Sequence, residues 1–288
     1  MAESNSPLRY PGGKGILSDF LAQVIETNGI KECIYAEPYA GGAGAALNLL
    51  FSGKVERILL NDADKCVWSF WRAALDHTDA FIERIRQTPI TVDEWGRQRA
   101  IYTQHKRGIL DLGFATFFLN RCNRSGIITR GGIIGGVEQT GKWKIDARFN
   151  REGLVRRIER IAAYREQIAV FNLDAVEFVR SQVLTANDRS QYLVYFDPPY
   201  YVQGSRLYLN YYKPEDHQQL ATYLARIRHV HWLVTYDNVP ETRALYARFR
   251  TMDFSLRYSA HSAREGREIM VYGPTLAPPA DKTILDVA

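Results

Sequence analysis

The sequence predicts an α/β fold: a mostly parallel sheet with an antiparallel edge, flanked by helices and carrying an inserted helical module. Three observations predict it. Short apolar runs, Tyr192–Phe196 and Trp232–Tyr236 among them, stop abruptly at acids and are followed by helical periodicity, as buried parallel strands with helical crossovers do. Residues from about 73 to 167 break that rhythm with helical spacing, aromatics and basic residues but no alternating strand runs. Toward the end of the chain, Phe254–Tyr258 and Glu268–Tyr272 read as a hairpin around Arg264-Glu265-Gly266-Arg267. At 288 residues the chain can bury a large core, as one α/β domain with an insertion.

The first strand lies within Cys33–Glu37 and runs into Pro38-Tyr39-Ala40-Gly41-Gly42-Ala43-Gly44, after which a helix opens at Ala45–Leu50. Glycines 41, 42 and 44 let the backbone approach a ligand closely at the carboxyl edge of a parallel strand. Their spacing is not G-x-G-x-x-G, which argues against a dinucleotide site. The next apolar run, Ile58–Leu60, ends in Asn61-Asp62. An acid at that strand tip can accept hydrogen bonds from both hydroxyls of a ribose, so strand, glycine turn, helix, strand and acid make a nucleoside-binding unit. Asp62 is also placed to cap a helix through Lys65–Trp68, and the two roles are compatible.

The insert carries the basicity. The whole chain has a formal net charge of +5 and a pI near 9.0, yet residues 121–165 alone hold eleven Lys or Arg against four acids. That local excess suits a face that meets phosphates. Its bland alternative is a solvated helix, because Leu154, Ile158 and Ile161 form an apolar stripe with Arg156, Arg157 and Arg160 beside it.

The run Tyr192–Phe196 ends in Asp197-Pro198-Pro199-Tyr200-Tyr201, a rigid rim rich in acceptors. Each proline fixes its own φ and carries no N–H, and Pro199 forces Pro198 into extended backbone, so carbonyl directions are set before any ligand arrives. An exocyclic aromatic amine such as adenine N6 is a poor nucleophile because its lone pair is delocalised into the ring. The Asp197 carboxylate and the Pro198 carbonyl, gripping its two hydrogens, would turn the nitrogen toward tetrahedral geometry and aim the lone pair at an electrophile. Tyr200 offers an aromatic face on which an extruded base can stack. The same five residues could merely terminate a strand.

Cys33, Cys66 and Cys122 include no C-x-x-C pair, which speaks against zinc, a metal site or a disulfide framework and for a reducing, cytoplasmic setting. No cysteine follows a proline, so the Pro-Cys nucleophile of C5-cytosine methylation is missing. No apolar stretch is long enough for a signal peptide or a membrane span. Lys213–Arg226 reads as a helix, and Ala277-Pro278-Pro279-Ala280 as a tail lying on the surface.

In this order the motifs resemble those of the Dam-type (D12 class) N6-adenine DNA methyltransferases, over nearly the whole length. Leu8-Arg9-Tyr10-Pro11-Gly12-Gly13-Lys14 resembles the opening motif, Glu37–Gly44 the cofactor loop, Asp62 the ribose-binding acid and Asp197–Tyr200 the catalytic motif. Phe171-Asn172-Leu173-Asp174 is similar to the third cofactor segment, and Leu207–Tyr212 to the aromatic segment that closes over a flipped base. The resemblance implies a Rossmann-like S-adenosylmethionine-dependent methyltransferase sheet (residues 1–72 and 168–288) with an inserted helical target-recognition domain (73–167). It implies that Tyr10, Lys14, Glu37, Gly41, Gly42, Gly44, Asp62, Asp174 and Asp197 hold S-adenosylmethionine, and that Asp197, Pro198, Pro199 and Tyr200 are catalytic. Double-stranded DNA is the implied partner and a cognate restriction endonuclease an allowed one, for a monomer that needs no metal.

Asn120-Arg121 resembles the family's Asn-Arg pair, followed by a glycine-rich hairpin that reads the duplex. The implied DNA-binding residues are Arg9, Asn120, Arg121, Arg124, Arg130, Gln139 and Lys142, with Arg124, Arg130 and Gln139 the candidates for base contact. The hairpin departs from the Arg-x-Asn-x-x-Gly-x-Phe-Asn pattern of GATC enzymes, having Arg130-Gly131-Gly132-Ile133-Ile134-Gly135-Gly136 instead. Two alternatives stay open: methylation of cytosine N4, which the same acceptor pair can hold, and a catalytically idle fold that serves as a DNA-binding subunit.

Overall fold

The computed structural model describes residues 4–10, 14–129, 131–201, 212–258 and 264–280, with backbone only at 256–258 and 264–266. Helix α1 (Ser18–Thr27) precedes β1 (Ile34–Glu37), and α2 (Gly44–Phe51) leads to β2 (Arg57–Asn61). Five helices follow: α3 (Lys65–Asp76), α4 (Thr78–Gln87), α5 (Val92–Gln104), α6 (Ile109–Cys122) and α7 (Arg151–Ala163). The chain then enters β3 (Ile168–Phe171), α8 (Ala175–Phe178), β4 (Tyr192–Phe196), α9 (Pro214–Leu224), β5 (His231–Asp237), α10 (Pro240–Leu245), β6 (Arg250–Tyr258) and β7 (Arg264–Tyr272).

The seven strands lie in the order β3-β2-β1-β4-β5-β7-β6. Strands β1 to β5 pair in parallel, whereas β7 runs antiparallel to both β5 and β6. Strand order reverses between β1 and β4, so their carboxyl ends flank the crevice where open α/β sheets bind ligands. Glu37 closes β1, and Asp197 follows β4.

The C-terminal hairpin forms, but its turn is not where the sequence suggested. Arg264-Glu265-Gly266-Arg267 is part of β7, with Gly266 opposite Leu256 and Arg267 opposite Ser255. Ladder bonds to β6 satisfy that backbone and carry the strand through the charged residues and the glycine. The connecting residues 259–263 fall outside the described set.

Each face of the sheet has its own core. On one, Phe20, Leu47, Phe70, Phe81, Phe114, Phe117 and Ile158 pack with Ile58, Leu60 and Leu193. On the other, Phe178, Leu220, Leu224, Trp232 and Tyr246 pack with Val194, Phe196 and Val234. The helices between β2 and β3 thus share a continuous core with the first face, through an aromatic cluster in which Phe70 and Phe117 stack at 6.0 Å. Helices α3 and α6 lie close together at Gly113, where a Cβ would fall 2.4 Å from the Ser69 carbonyl oxygen. Among the described residues no helix is long and apolar enough to cross a membrane.

Candidate active site

The carboxyl ends of β1, β2 and β4 border a cavity of about 1100 Å³. All nine residues expected around the cofactor line it: Tyr10, Lys14, Glu37, Gly41, Gly42, Gly44, Asp62, Asp174 and Asp197. Of the remaining catalytic candidates, Pro199 lines it, Pro198 is buried beside it, and Tyr200 is half-buried.

The glycine loop is held from three sides. The Tyr10 ring lies so close to Gly41 that a Cβ there would come within 2.9 Å of it, and Gly41 has a φ of +46°, a conformation that favours glycine. The Ser6 hydroxyl donates to the Gly42 carbonyl at 2.5 Å, and Trp71 Nε1 donates to the Gly41 carbonyl at 2.9 Å. Asn61, fully buried at the end of β2, joins the loops after β1 and β3. Its Nδ2 donates to the carbonyls of Pro38 (2.9 Å) and Leu173 (3.0 Å), and its Oδ1 accepts the Leu173 N–H at 2.9 Å. The sequence showed Asn61 only as the neighbour of Asp62.

Asp62 accepts the Gly41 N–H on Oδ2 and the Asp64 N–H on Oδ1, both at 2.9 Å. The cap of α3 is Asp64, not Asp62, because Asp64 reaches the Cys66 N–H two residues on, at 2.8 Å. Burial, with the Asp64 charge added, pushes the Asp62 carboxyl up to about 7. Burial likewise pushes Glu37 up to about 8, while its Oε1 accepts the Ala46 N–H at 3.2 Å in the first turn of α2. Asp174 caps α8 through the N–H groups of Val176 and Glu177.

A second cluster surrounds Asp197. Its Oδ1 accepts the Thr235 hydroxyl at 2.9 Å and faces Lys14 Nζ at 3.5 Å. Thr235, fully buried on β5, meets the Tyr195 hydroxyl at 2.7 Å. Lys14 also pairs with Glu268 Oε2 at 2.9 Å and bonds the Tyr200 hydroxyl, which itself donates to Glu268 at 2.6 Å. Burial raises the Asp197 carboxyl above its ordinary range, with Lys14 pulling the other way. Tyr201 N–H donates to Asp237 at 3.0 Å, fixing the exit of the Asp-Pro-Pro rim. Thr235 and Glu268 were not singled out in the sequence; a lone hydroxyl within an apolar run marks Thr235, whereas Glu268 directly follows the charged run Arg264-Glu265-Gly266-Arg267 and carries no such signal.

The residues expected to touch DNA divide into two groups. Arg124 and Lys142 are exposed. Asn120 is fully buried, and its amide is used within the protein: it accepts the Arg9 N–H at 2.7 Å and donates to the carbonyls of Arg9 (2.8 Å) and Gly126 (2.9 Å). Arg121 is 8% exposed and donates to the Arg148 carbonyl at 2.7 Å, and burial beside Arg9 and Arg157 lowers its guanidinium to about 9. Arg9 and Arg121 both line the large cavity, and the Arg9 guanidinium donates to the Asn123 carbonyl at 3.1 Å. Gln139 staples its own loop, donating to Ile134 and Gly136 and accepting from Ile145. Arg130 lies outside the described residues, as do residues 207–211 of the aromatic segment; Tyr212 bonds the Tyr39 hydroxyl at 2.6 Å and lines the cavity. Among the described residues, the stretch expected as a hairpin holds one bridge, Asn123 to Ile133.

A sequence model of the family described as D12 class N6 adenine-specific DNA methyltransferase matches residues 10–260. Among curated proteins no match was found. Solved structures similar to the chain include two of the rRNA methyltransferase aviRa from Streptomyces viridochromogenes, at 1.5 Å and 2.4 Å. They are 13% and 11% identical to it, cover 92% and 93% of it and 85% and 86% of their own chains, each with a TM-score of 0.35.

Proposed function

The chain belongs to the D12 class of N6 adenine-specific DNA methyltransferases, and from that premise we propose that Asp197 and Pro198 activate the amine of a flipped adenine beside S-adenosylmethionine held at the Gly41–Asp62 edge. The observation that carries this reading is the meeting of the Asp197 carboxylate with the glycine loop and Asp62 in one cavity of about 1100 Å³. That space exceeds what one nucleoside-sized ligand needs, which leaves room for a base next to a cofactor.

The donor and acceptor set fits the cofactor. Asp62 spends one acceptor site of each oxygen on a backbone N–H and keeps lone pairs for ribose hydroxyls. The Gly41–Tyr10 contact leaves no space for a side chain at the loop. When bound, the cofactor supplies an electrophilic methyl on a sulfonium. Asp197 and Pro198 hold the two amine hydrogens and orient the nitrogen lone pair. Tyr10, Lys14, Gly41 and Asp62 would hold the cofactor, which would supply the methyl group to the nitrogen that Asp197 and Pro198 orient, with the amine's surplus proton passing to solvent.

Residues 73–167, basic and glycine-rich in their loop, serve in this reading as the target-recognition module on duplex DNA. The enzyme would act in the cytoplasm as a monomer, alone or beside a cognate restriction endonuclease. The direct test is to incubate the purified protein with S-adenosylmethionine and duplex DNA, digest to nucleosides and identify the product. N6-methyldeoxyadenosine is expected. N4-methyldeoxycytidine would overturn the choice of base, and no methylated nucleoside would favour the idle fold.

A further inference from the structure

One half-buried and one fully buried carboxylate share a lysine at this site. Lys14 Nζ is 2.9 Å from Glu268 Oε2 and 3.5 Å from Asp197 Oδ1. Glu268 stands on β7 opposite Asp237 of β5 and is only 1% exposed. Its Oε2 also accepts the Tyr200 hydroxyl at 2.6 Å, while its Oε1 is buried with no hydrogen-bond partner among the described residues. A carboxylate this deep is costly to keep, and a neutral side chain of the same shape could hold Tyr200 equally well. Burial raises the Glu268 carboxyl above its ordinary range while the Lys14 ammonium pulls it back, so an ionised Glu268 calls for a reason.

Charge counting supplies one. Lys14 paired with Asp197 alone would be neutral, with the ammonium seated on the carboxylate that has to accept amine hydrogens. With Glu268 present, Lys14 lies nearer the glutamate, and the trio carries a net charge of −1 when both carboxyls are ionised. We propose that Glu268 is a positioning residue that draws Lys14 off Asp197, preserving Asp197 as an acceptor and leaving a negative site that prefers a sulfonium cation to a neutral thioether. This rests on the proposed assignment of Asp197 and the cofactor pocket, and it names what sets the electrostatic preference of that pocket.

S-adenosylmethionine and S-adenosylhomocysteine differ by the methyl and its positive charge, so their affinity ratio reads the charge of the site. Calorimetric titration of the full chain with each ligand is the experiment. Glu268→Gln is expected to weaken S-adenosylmethionine about tenfold and S-adenosylhomocysteine less than twofold, because only the sulfonium cation interacts with the charge removed. Lys14→Met should shift the ratio the opposite way, toward S-adenosylmethionine, which keeps the test decisive if Glu268→Gln fails to fold. In single-turnover methylation the Lys14→Met/Glu268→Gln double variant should be faster than Glu268→Gln alone, because no ammonium then occupies Asp197. Equal losses for both ligands, an unchanged ratio, or a double variant no faster than the single one would overturn the proposal. A wild-type protein that binds neither ligand would instead sink the cofactor reading beneath it.

Discussion

Lys14 and Glu268 form a 2.9 Å ion pair across 254 positions of the chain, beside the Asp197 carboxylate. The first motif of the protein and its last strand thus close on one another at the reacting edge of the sheet. Placing β7 between β5 and β6 is what brings Glu268 there, so the antiparallel edge completes the site as well as the sheet.

Asp62 makes stability depend on pH with a definite sign. Its carboxyl is raised to about 7 in the folded protein, against roughly 4 in an unfolded chain. Between those values the folded state keeps a proton that the unfolded state has released, so stability falls as pH rises. The ligand-free wild type should lose melting temperature from pH 5 to pH 7.5 more steeply than Asp62→Asn in scanning calorimetry. Glu37 has the same sign and remains in both proteins. Parallel slopes would show that Asp62 does not carry the raised proton affinity.

Gly113→Ala should destabilise the fold without touching the cavity. The new Cβ would sit 2.4 Å from the Ser69 carbonyl oxygen and 2.9 Å from the Ala73 Cβ, so α3 and α6 would have to part. The expected loss is about 1–3 kcal/mol in urea unfolding, with cofactor affinity retained.

Asn120→Ala separates a clamp from a DNA contact. Losing the amide leaves the Arg9 N–H and the Gly126 carbonyl without that partner, a cost of about 1–3 kcal/mol for each group that stays buried and unsatisfied. Stability should fall while the salt dependence of DNA binding keeps its slope. A variant of native stability with a flatter slope would assign Asn120 to the duplex.

Arg156, Arg157 and Arg160 test the basic face of α7. Arg156 and Arg160 are exposed, and Arg160 lies over the Phe51 ring at 4.2 Å and donates to Asn5 at 3.1 Å. Replacing all three with Gln should reduce the slope of log affinity against log salt by about 0.9 for each phosphate that these arginines neutralise. An unchanged slope would return α7 to the role of a solvated helix.

The strand tips of the site were legible in the sequence because strands buried on both faces write continuous apolar runs, against which Glu37, Asp62 and Asp197 stand out. Glu268 was hidden, since its position depends on a pairing between β5 and β7 that local pattern does not encode. Only the resemblance of the Asn120-Arg121 pair points Asn120 toward the duplex, and local pattern does not show its partner in the fold, Arg9, 111 positions away. The glycine pairs of the basic loop suit a turn-rich loop, and the family resemblance implies a hairpin there. Among the described residues, positive φ at Gly132, Gly135 and Gly136, with Gln139 stapling the loop, bends it into turns.

The most direct test of the central claim is sequencing that detects modified bases on plasmid DNA from cells making the wild type or Asp197→Ala. The wild type should place N6-methyladenine at one recurrent short motif, and Asp197→Ala should leave that motif bare while its DNA affinity stays within about twofold. Methylation that persists in Asp197→Ala would contradict the role of this carboxylate, whatever motif is marked.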